Sequence, residues 1–336
     1  MSVISESEGV VATEHIGTQE IDHEETIVGR IKSHYHDIKK KDKPFPTNLQ
    51  CYRVHNLIGK GAFGKVALAT HKLTNKQVAL KMIEKSALKP GQLEKVAAEV
   101  KLMSAIRHRH VIRLLEVFET NHHLFMVLEY ADGGDLLHHV KKVKALTEDE
   151  ARPLFKQIVY GIAHCHCRSV VHRDIKLDNI LIDEAGHVKI CDFGISRLLD
   201  DPSAVLFEQC GTPAYIAPEI LADSGYSGFK SDIWGLGVLL YAMVCGTVPF
   251  RAANMRDLKA VIQAGQMKFP SHHPRDRSQA FSPGLMSLIR SMCTVDPSKR
   301  ITIPEILSHN WVNNLDPGSP PLHQILKNGL TVTQLQ

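Results

Sequence analysis

Lys81, Asp174, Lys176, Asn179 and Asp192 are the residues whose types and spacing could do chemistry together. Two ammonium groups, two carboxylates and an amide are what transfer of a terminal phosphoryl group to a hydroxyl requires. The ammonium groups offset phosphate charge, one carboxylate receives the hydroxyl proton, and the amide and second carboxylate hold a divalent cation. Asp174, Lys176 and Asn179 lie in one run, His172-Arg173-Asp174-Ile175-Lys176-Leu177-Asp178-Asn179, directly after the apolar pair Val170-Val171. Asp192 opens Asp192-Phe193-Gly194. Ile180–Ile182 and Val188–Ile190 flank the turn formers Asp183-Glu184-Ala185-Gly186. That pattern predicts a hairpin whose open end brings Asn179 and Asp192 together. Magnesium keeps several waters and takes few protein ligands, so one amide and one carboxylate suit it.

Gly59-Lys60-Gly61-Ala62-Phe63-Gly64 fits G-x-G-x-x-G, a motif that also serves dinucleotides, and Glu84 even stands about where a ribose-binding acid would. The flanks decide. A dinucleotide turn runs from strand into helix, whereas here Tyr52–Ile58 leads in as a strand and Lys65–Thr70 leads out as another. Glycines between two strands let backbone lie over phosphates with no side chain in the way. Lys81 ends the apolar strand Val78-Ala79-Leu80-Lys81, and a buried ammonium needs an opposite charge. Glu99 is the natural partner because it shares a helix face with Val96 and Met103; Glu94 is a second candidate on a less apolar face.

These residues need a scaffold, and the pattern along the chain supplies one. Alternation over residues 66–70 and 78–80 around Thr74-Asn75 predicts a hairpin. Leu93, Val96, Val100 and Met103 recur at helical steps, and Val111–Glu119 and Leu124–Tyr130 read as two more strands. After Gly133-Gly134 the pattern turns helical, with Leu154, Ile158 and Ile162 on one stripe. The expected fold is α+β and bilobal: a small β-rich lobe with one main helix (47–131) and a larger helical lobe (132–312). A tail (1–46) precedes them and a short one (313–336) follows. Residues 1–26 are acidic with no Lys or Arg, and residues 30–43 are basic around Lys39-Lys40-Lys41; the expectation for both is a disordered polyampholyte.

The bulk composition excludes several classes. In 336 residues, 40 Lys and Arg against 36 Asp and Glu give a net charge of +4, too mixed a surface to argue for nucleic acid. The 7 cysteines have no regular spacing, which fits a reducing compartment and a cytoplasmic or nuclear location. His164-Cys165-His166-Cys167 resembles metal-ligand chemistry, but adjacent helical residues point apart and no second motif completes a tetrahedron. The uncharged stretch from Ile233 to Phe250 is long enough to be weighed as a membrane span. Its glycines, Pro249 and the cap-like Ser231-Asp232 favour a buried core helix and no membrane partner. Neither a secretory leader nor a myristoylation pattern is present at the first residues.

On these motifs the chain resembles the eukaryotic protein kinase family from about Tyr52 to Val312. Ala217-Pro218-Glu219 closes an activation segment as in that family, Arg300 matches the partner of Glu219, and Asp232 matches a helix residue bracing the catalytic loop. The resemblance implies ATP and Mg2+ as cofactors and protein substrates bearing a Ser or Thr acceptor. It implies Asp174 as base, Lys176, Lys81 and Glu99 as charge-handling residues, and Thr212 as their hydrogen-bonding neighbour. A nucleotide site is implied from Ile58, Gly59, Lys60, Gly61, Ala62, Phe63 and Gly64, with Val66, Ala79 and Leu181 as an apolar shelf. A gatekeeper at Leu128, a hinge at Glu129-Tyr130-Ala131, and Cys191 beside Asp192 complete it. Lys176 and Cys210-Gly211-Thr212-Pro213 are similar to the serine/threonine branch. Thr147–Arg152 and Cys210–Glu219 resemble its calcium/calmodulin-dependent and AMP-activated group, although no calmodulin-binding extension is evident after Trp311.

Arg173 beside the base implies a basic pocket that wants a negative charge. Where relatives carry a phosphothreonine, this chain has Glu208, which is expected to supply part of that charge; Ser203 is the nearest other phosphosite, for an upstream kinase or regulatory partner. Asp135 and Asp178 match acids that pair with an arginine three residues before the acceptor. Cys191 carries a side expectation of thiol reactivity. A scaffold that has lost catalysis and a small-molecule kinase are the alternatives. The first would lack one of Lys81, Asp174, Asn179 or Asp192, and all four are present.

Overall fold

Burial along residues 77–84 explains the first half of the fold. In the computed structural model, which describes Leu49 and residues 51–61, 64–222 and 224–313, Gln77–Glu84 (β3) is the central strand of a five-stranded antiparallel sheet. Its neighbours are Gly64–His71 (β2) and His123–Glu129 (β5). Tyr52–Gly61 (β1) and Leu114–Glu119 (β4) form the edges, giving the order β1-β2-β3-β5-β4. Successive side chains on a strand point to opposite faces. Val78, Leu80 and Met82 therefore pack with Tyr52, Phe125 and Val127 on one face. The other face receives the helix Gln92–Ala105 (α1) through Ile83, Leu93, Val96 and Val100. Lys81 belongs to this second, helix-facing set. The two strands expected at Val111–Glu119 and Leu124–Tyr130 are trimmed to β4 and β5, because Val111 instead bridges Ile190 of the other lobe.

The second half is helical: Leu136–Val143 (α2), Glu148–Cys167 (α3), Gly228–Cys245 (α4), Met255–Ala264 (α5), Pro283–Met292 (α6), Ile303–Ser308 (α7) and Asn310–Asn313 (α8). Asp135 caps α2 by accepting the His138 N–H at 2.7 Å, and Thr147 with Glu150 forms a capping box on α3. Short strands carry the chemistry-bearing loops. Val170–Val171 (β6) pairs with Arg197–Leu198 (β9), and Ile180–Ile182 (β7) pairs with Val188–Ile190 (β8) as the expected hairpin. The helical part reaches Asn313, one residue beyond the expected Val312 boundary. Residues 1–46, and all of the second tail after Asn313, lie outside the described residues, as do Ala62 and Phe63.

Helix α4 is the apolar stretch that invited a membrane reading. It is long and apolar enough to span a bilayer, yet 89% of it is buried inside the molecule. Leu236, Leu239, Leu240 and Met243 are fully buried, each contributing about 1.5–3 kcal/mol relative to exposure. The expected start at Ser231-Asp232 is corrected: the helix begins one turn earlier at Gly228, and both residues lie inside it. Its glycines do not break it. A Cβ on Gly237 would fall 2.6 Å from the Cys293 sulfur and one on Gly235 3.1 Å from Ile175, so they admit close neighbours. Arg300 anchors the far side. Its guanidinium is fully buried and meets both Glu219 oxygens at 2.5 and 2.8 Å, stacking over Trp234 at 5.2 Å. Breaking such a buried pair from one side costs about 3–5 kcal/mol, since the other charge is left without compensation.

Candidate active site

Asp174 stands at the centre of a closed hydrogen-bonded cluster. Its Oδ1 accepts the Thr212 N–H at 2.9 Å and the Thr212 hydroxyl at 2.8 Å. Its Oδ2 faces the Lys176 ammonium at 2.7 Å and accepts from the Asn179 amide at 3.1 Å. Lys176 also donates to the Thr212 Oγ1 at 2.8 Å. Burial pushes the Asp174 carboxyl up, but the bonds from Lys176 and Thr212 and the nearby charges outweigh it, and the group titrates below its ordinary range. It is therefore a carboxylate at neutral pH.

The sequence places these groups by anchoring backbone rather than by rigid elements. Asp232, within α4 and 2% exposed, accepts the N–H of His172 and the N–H of Arg173, each at 2.8 Å. His166 of α3 adds a third contact to Asp232 Oδ2 at 2.9 Å. Arg173 has φ of 66°, a conformation that costs a non-glycine residue on the order of 1–3 kcal/mol. Asp192 is likewise at φ 62°. The His172 ring bonds the Cys191 carbonyl at 3.1 Å and lies against Phe193, whose ring is buried in the main core. Cys191 N–H to the Asn179 carbonyl, at 2.9 Å, closes the open end of the β7–β8 hairpin as expected.

Across the cleft, Lys81 is 5% exposed and meets Glu99 of α1 at 2.6 Å, the pairing read from the helix face. Glu94, the second candidate, is on the exposed side. Val66, Ala79 and Leu128 stand on three adjacent strands, with Val66 opposite Lys81 and Ala79 opposite Leu128. Leu181 bridges Asp135, Ala131 is buried, and Ile58 forms an exposed margin. Gly59 and Gly61 lie in β1, and the Lys60 side chain is outside the described set. The strand on either side of the glycine turn excludes the dinucleotide alternative. Gly64 also has a packing reason: a Cβ there would sit 1.9 Å from the Met82 carbonyl oxygen. Glu129 turns its side chain outward to Lys189 at 2.5 Å.

One feature corrects the sequence reading of this region. Burial, then the Asp192 and Asp135 charges, push the Cys191 thiol up to about 12, which opposes the expected reactivity. The His164–Cys167 run forms a helix flank as expected, and no cluster of three metal-ligating side chains occurs among the described residues. His166 was missed as a bracing residue because its partner is distant in sequence and no local pattern signals it. Lys95 and Arg197 were missed as well. Both face Glu208, at 3.7 and 3.6 Å, while Arg173 reaches the same carboxylate at 3.1 Å. Lys95 was within reach of the helix argument, since it precedes Glu99 by one helical turn.

The family model for the protein kinase domain matches residues 52–312. The chain is 40% identical over 266 residues to the serine/threonine-protein kinase SIK3 homolog of Danio rerio, covering 79% of this chain and 22% of that protein. It is 41% identical over 265 residues to maternal embryonic leucine zipper kinase of Xenopus tropicalis, covering 79% and 39%. Identity to serine/threonine protein kinase OSK3 of Oryza sativa subsp. indica is 40% over 264 residues, covering 78% and 50%. The chain thus spans half or less of the length of these relatives.

Thiol alkylation tests the geometry around Asp192 directly. At pH 8, iodoacetamide should modify the exposed Cys51 and Cys167 at least about 100-fold faster than Cys191, as read by peptide mass spectrometry. Comparable rates would mean that the Cys191 thiol is not pushed up as described.

Proposed function

This chain belongs to the protein kinase family, and from that premise we propose that it is a serine/threonine kinase using ATP and magnesium on protein substrates. The observation that carries the reading is the convergence of Asp174, Lys176, Thr212 and Asn179 in one cluster. The donor set fits the cofactors. Asn179 spends its amide hydrogens on the Asp174 carbonyl and Oδ2, at 2.9 and 3.1 Å, leaving its oxygen for a cation. Asp192 is exposed and has no cationic partner among the described residues. Two oxygen donors, one of them on an exposed residue, suit magnesium, which keeps several waters.

Bound Mg-ATP supplies the electrophilic phosphorus and the cation that neutralises its oxygens. The protein's own residues do the rest. Lys81, fixed by Glu99, presents its ammonium to phosphate oxygens without a search through rotamers. Asp174 orients the acceptor hydroxyl and takes its proton at Oδ2. A carboxylate has about four acceptor sites, and all four are engaged here. One donor must leave when a hydroxyl arrives, and Lys176 is the one with somewhere to go, toward the transferring phosphoryl group. Thr212 retains its two bonds to Oδ1 and keeps the carboxylate aimed. The free state of all 7 cysteines supports a reducing location, the cytoplasm or the nucleus.

Substrate and regulation follow from charges around the cluster. Asp178 is exposed on the turn that packs against α2, and Asp135 caps that helix with one oxygen only, so both support a basic residue three positions before the acceptor. Glu208 sits among Arg173, Arg197 and Lys95, which joins the activation segment to the catalytic loop and to α1. Burial raises the Glu208 carboxyl, but Arg173 and the other cations outweigh it and hold it below its ordinary range. It is a fixed negative charge where a phosphate would otherwise be needed. Lys95 and Arg197 are more than half exposed, so their shares are small and screened by salt.

Radiolabelled ATP with a peptide carrying Arg three residues before a serine should give transfer. Asp192→Ala should lower it at least about 100-fold, the scale of lost charge stabilisation. Nucleotide binding without transfer by the unaltered chain would favour the scaffold alternative, and equal rates on a peptide with Ala at that position would refute the basic preference. For Glu208, the unphosphorylated Glu208→Gln chain should turn over about 3- to 30-fold more slowly, the equivalent of roughly 0.7–2 kcal/mol. Unchanged turnover would show that this carboxylate is ordinary surface.

A further inference from the structure

A cleft of about 690 Å³ opens between the start of β3, the segment joining α1 to β4, and the end of β5, and it shares no lining residue with the Asp174 cluster. Its walls carry Lys76, Arg107, His108, Arg109, Arg113 and Lys189. The cleft's one carboxylate, Glu129, is already committed to Lys189 at 2.5 Å and to the Arg113 N–H at 3.3 Å. Lys76, Arg107, Arg109 and Arg113 are exposed, and among the described residues none has a carboxylate partner. Leu115, 47% exposed, adds an apolar patch to the same wall. A concave surface with this much uncompensated charge of one sign concentrates carboxylates.

We propose that this cleft docks the chain's own acidic stretch, residues 1–26, with Glu20-Ile21-Asp22-His23-Glu24-Glu25 as the contacting portion. Three observations select this occupant. The stretch contains acids and no Lys or Arg, so its charge is opposite to that of the cleft, most densely over residues 20–25. Ile21 between two acids gives the stretch an apolar side chain for the exposed Leu115, which lines the same cleft as Arg107, Arg109 and Arg113. The chain also joins the fold beside the cleft. The Leu49 carbonyl accepts from Lys72 at 2.8 Å, and His71 donates to the Lys76 carbonyl at 2.9 Å, so Leu49 and Lys76 flank one turn. The intervening residues, 26–48, span roughly 75 Å when extended at about 3.3 Å each, so their reach is not limiting. Closing so long a loop adds little further entropy cost, because that cost grows only with the logarithm of length. The basic run around Lys39-Lys40-Lys41 is repelled by the same walls and stays out of the cleft.

Carbodiimide coupling on the full chain tests this, since it joins only touching carboxylates and amines. The expected product links a carboxylate within residues 20–25 to Lys76, and a mixture of isotopically light and heavy chains should show it to be intramolecular. Its yield should fall at least 5-fold in an Arg107→Glu, Arg109→Glu, Arg113→Glu variant. It should fall similarly for the unaltered chain in 1 M salt, where the screening length shrinks to about 3 Å. The salt arm decides if the triple variant does not fold. Links from residues 20–25 only to lysines 39–43, links only between copies, or a Lys76 yield indifferent to charge reversal and salt would each overturn the proposal.

Discussion

The catalytic loop depends on one buried carboxylate. Asp232 is enclosed in the core helix α4, and its oxygens hold two successive backbone N–H groups and one imidazole. A peptide group at positive φ does not stay there unaided, and Arg173 is such a group. Hydrogen bonds to a charged acceptor contribute about 1.5–3 kcal/mol each, enough to offset the strain. Twisted in this way, the chain aims Asp174 at Thr212 and Lys176 while the Arg173 side chain turns to the Ile195 carbonyl and Glu208. The apolar content that makes α4 look like a membrane span is what keeps water away from that carboxylate.

A second constraint comes from the β-rich lobe. Helix α1 carries Glu99 toward Lys81 and, one turn earlier, Lys95 toward Glu208. One placement of a rigid helix satisfies both contacts, so the Lys81 ammonium and the segment carrying Glu208 are positioned by the same body. The buried Lys81–Glu99 pair is the stronger of the two, since Lys95 is largely solvated. The isolated bridge from Val111 to Ile190 and the bond from the Ile112 N–H to the Ile190 carbonyl at 2.8 Å tie this lobe to the β7–β8 hairpin that carries Asp192.

Much of this arrangement was legible because it is written in local pattern. The strand alternation around Lys81, the helical spacing that selects Glu99, and the hairpin that joins Asn179 to Asp192 each follow from neighbours in sequence. What escaped depends on distant partners. By local pattern Asp232 reads as a cap, and only the family resemblance marks it as a brace, because its partners lie some sixty residues earlier. His166 looked like a metal-like oddity for the same reason. The positive φ at Arg173 has no residue-type signal at all, and at Asp192 only a weak one. The desolvation and the Asp192 and Asp135 charges that disarm the Cys191 thiol come from residues brought around it by the fold.

The most direct measurement is single-turnover phosphoryl transfer by an Asp232→Asn chain, made alongside its equilibrium affinity for nucleotide. One carboxylate oxygen is then replaced by an amide that cannot accept, and the loop loses one of its two backbone anchors while the Lys81–Glu99 pair is untouched. The account predicts a transfer rate lowered by about 100-fold or more, with nucleotide affinity changed less than about 3-fold. A transfer rate equal to that of the unaltered chain, or a loss carried entirely by nucleotide binding, would contradict it.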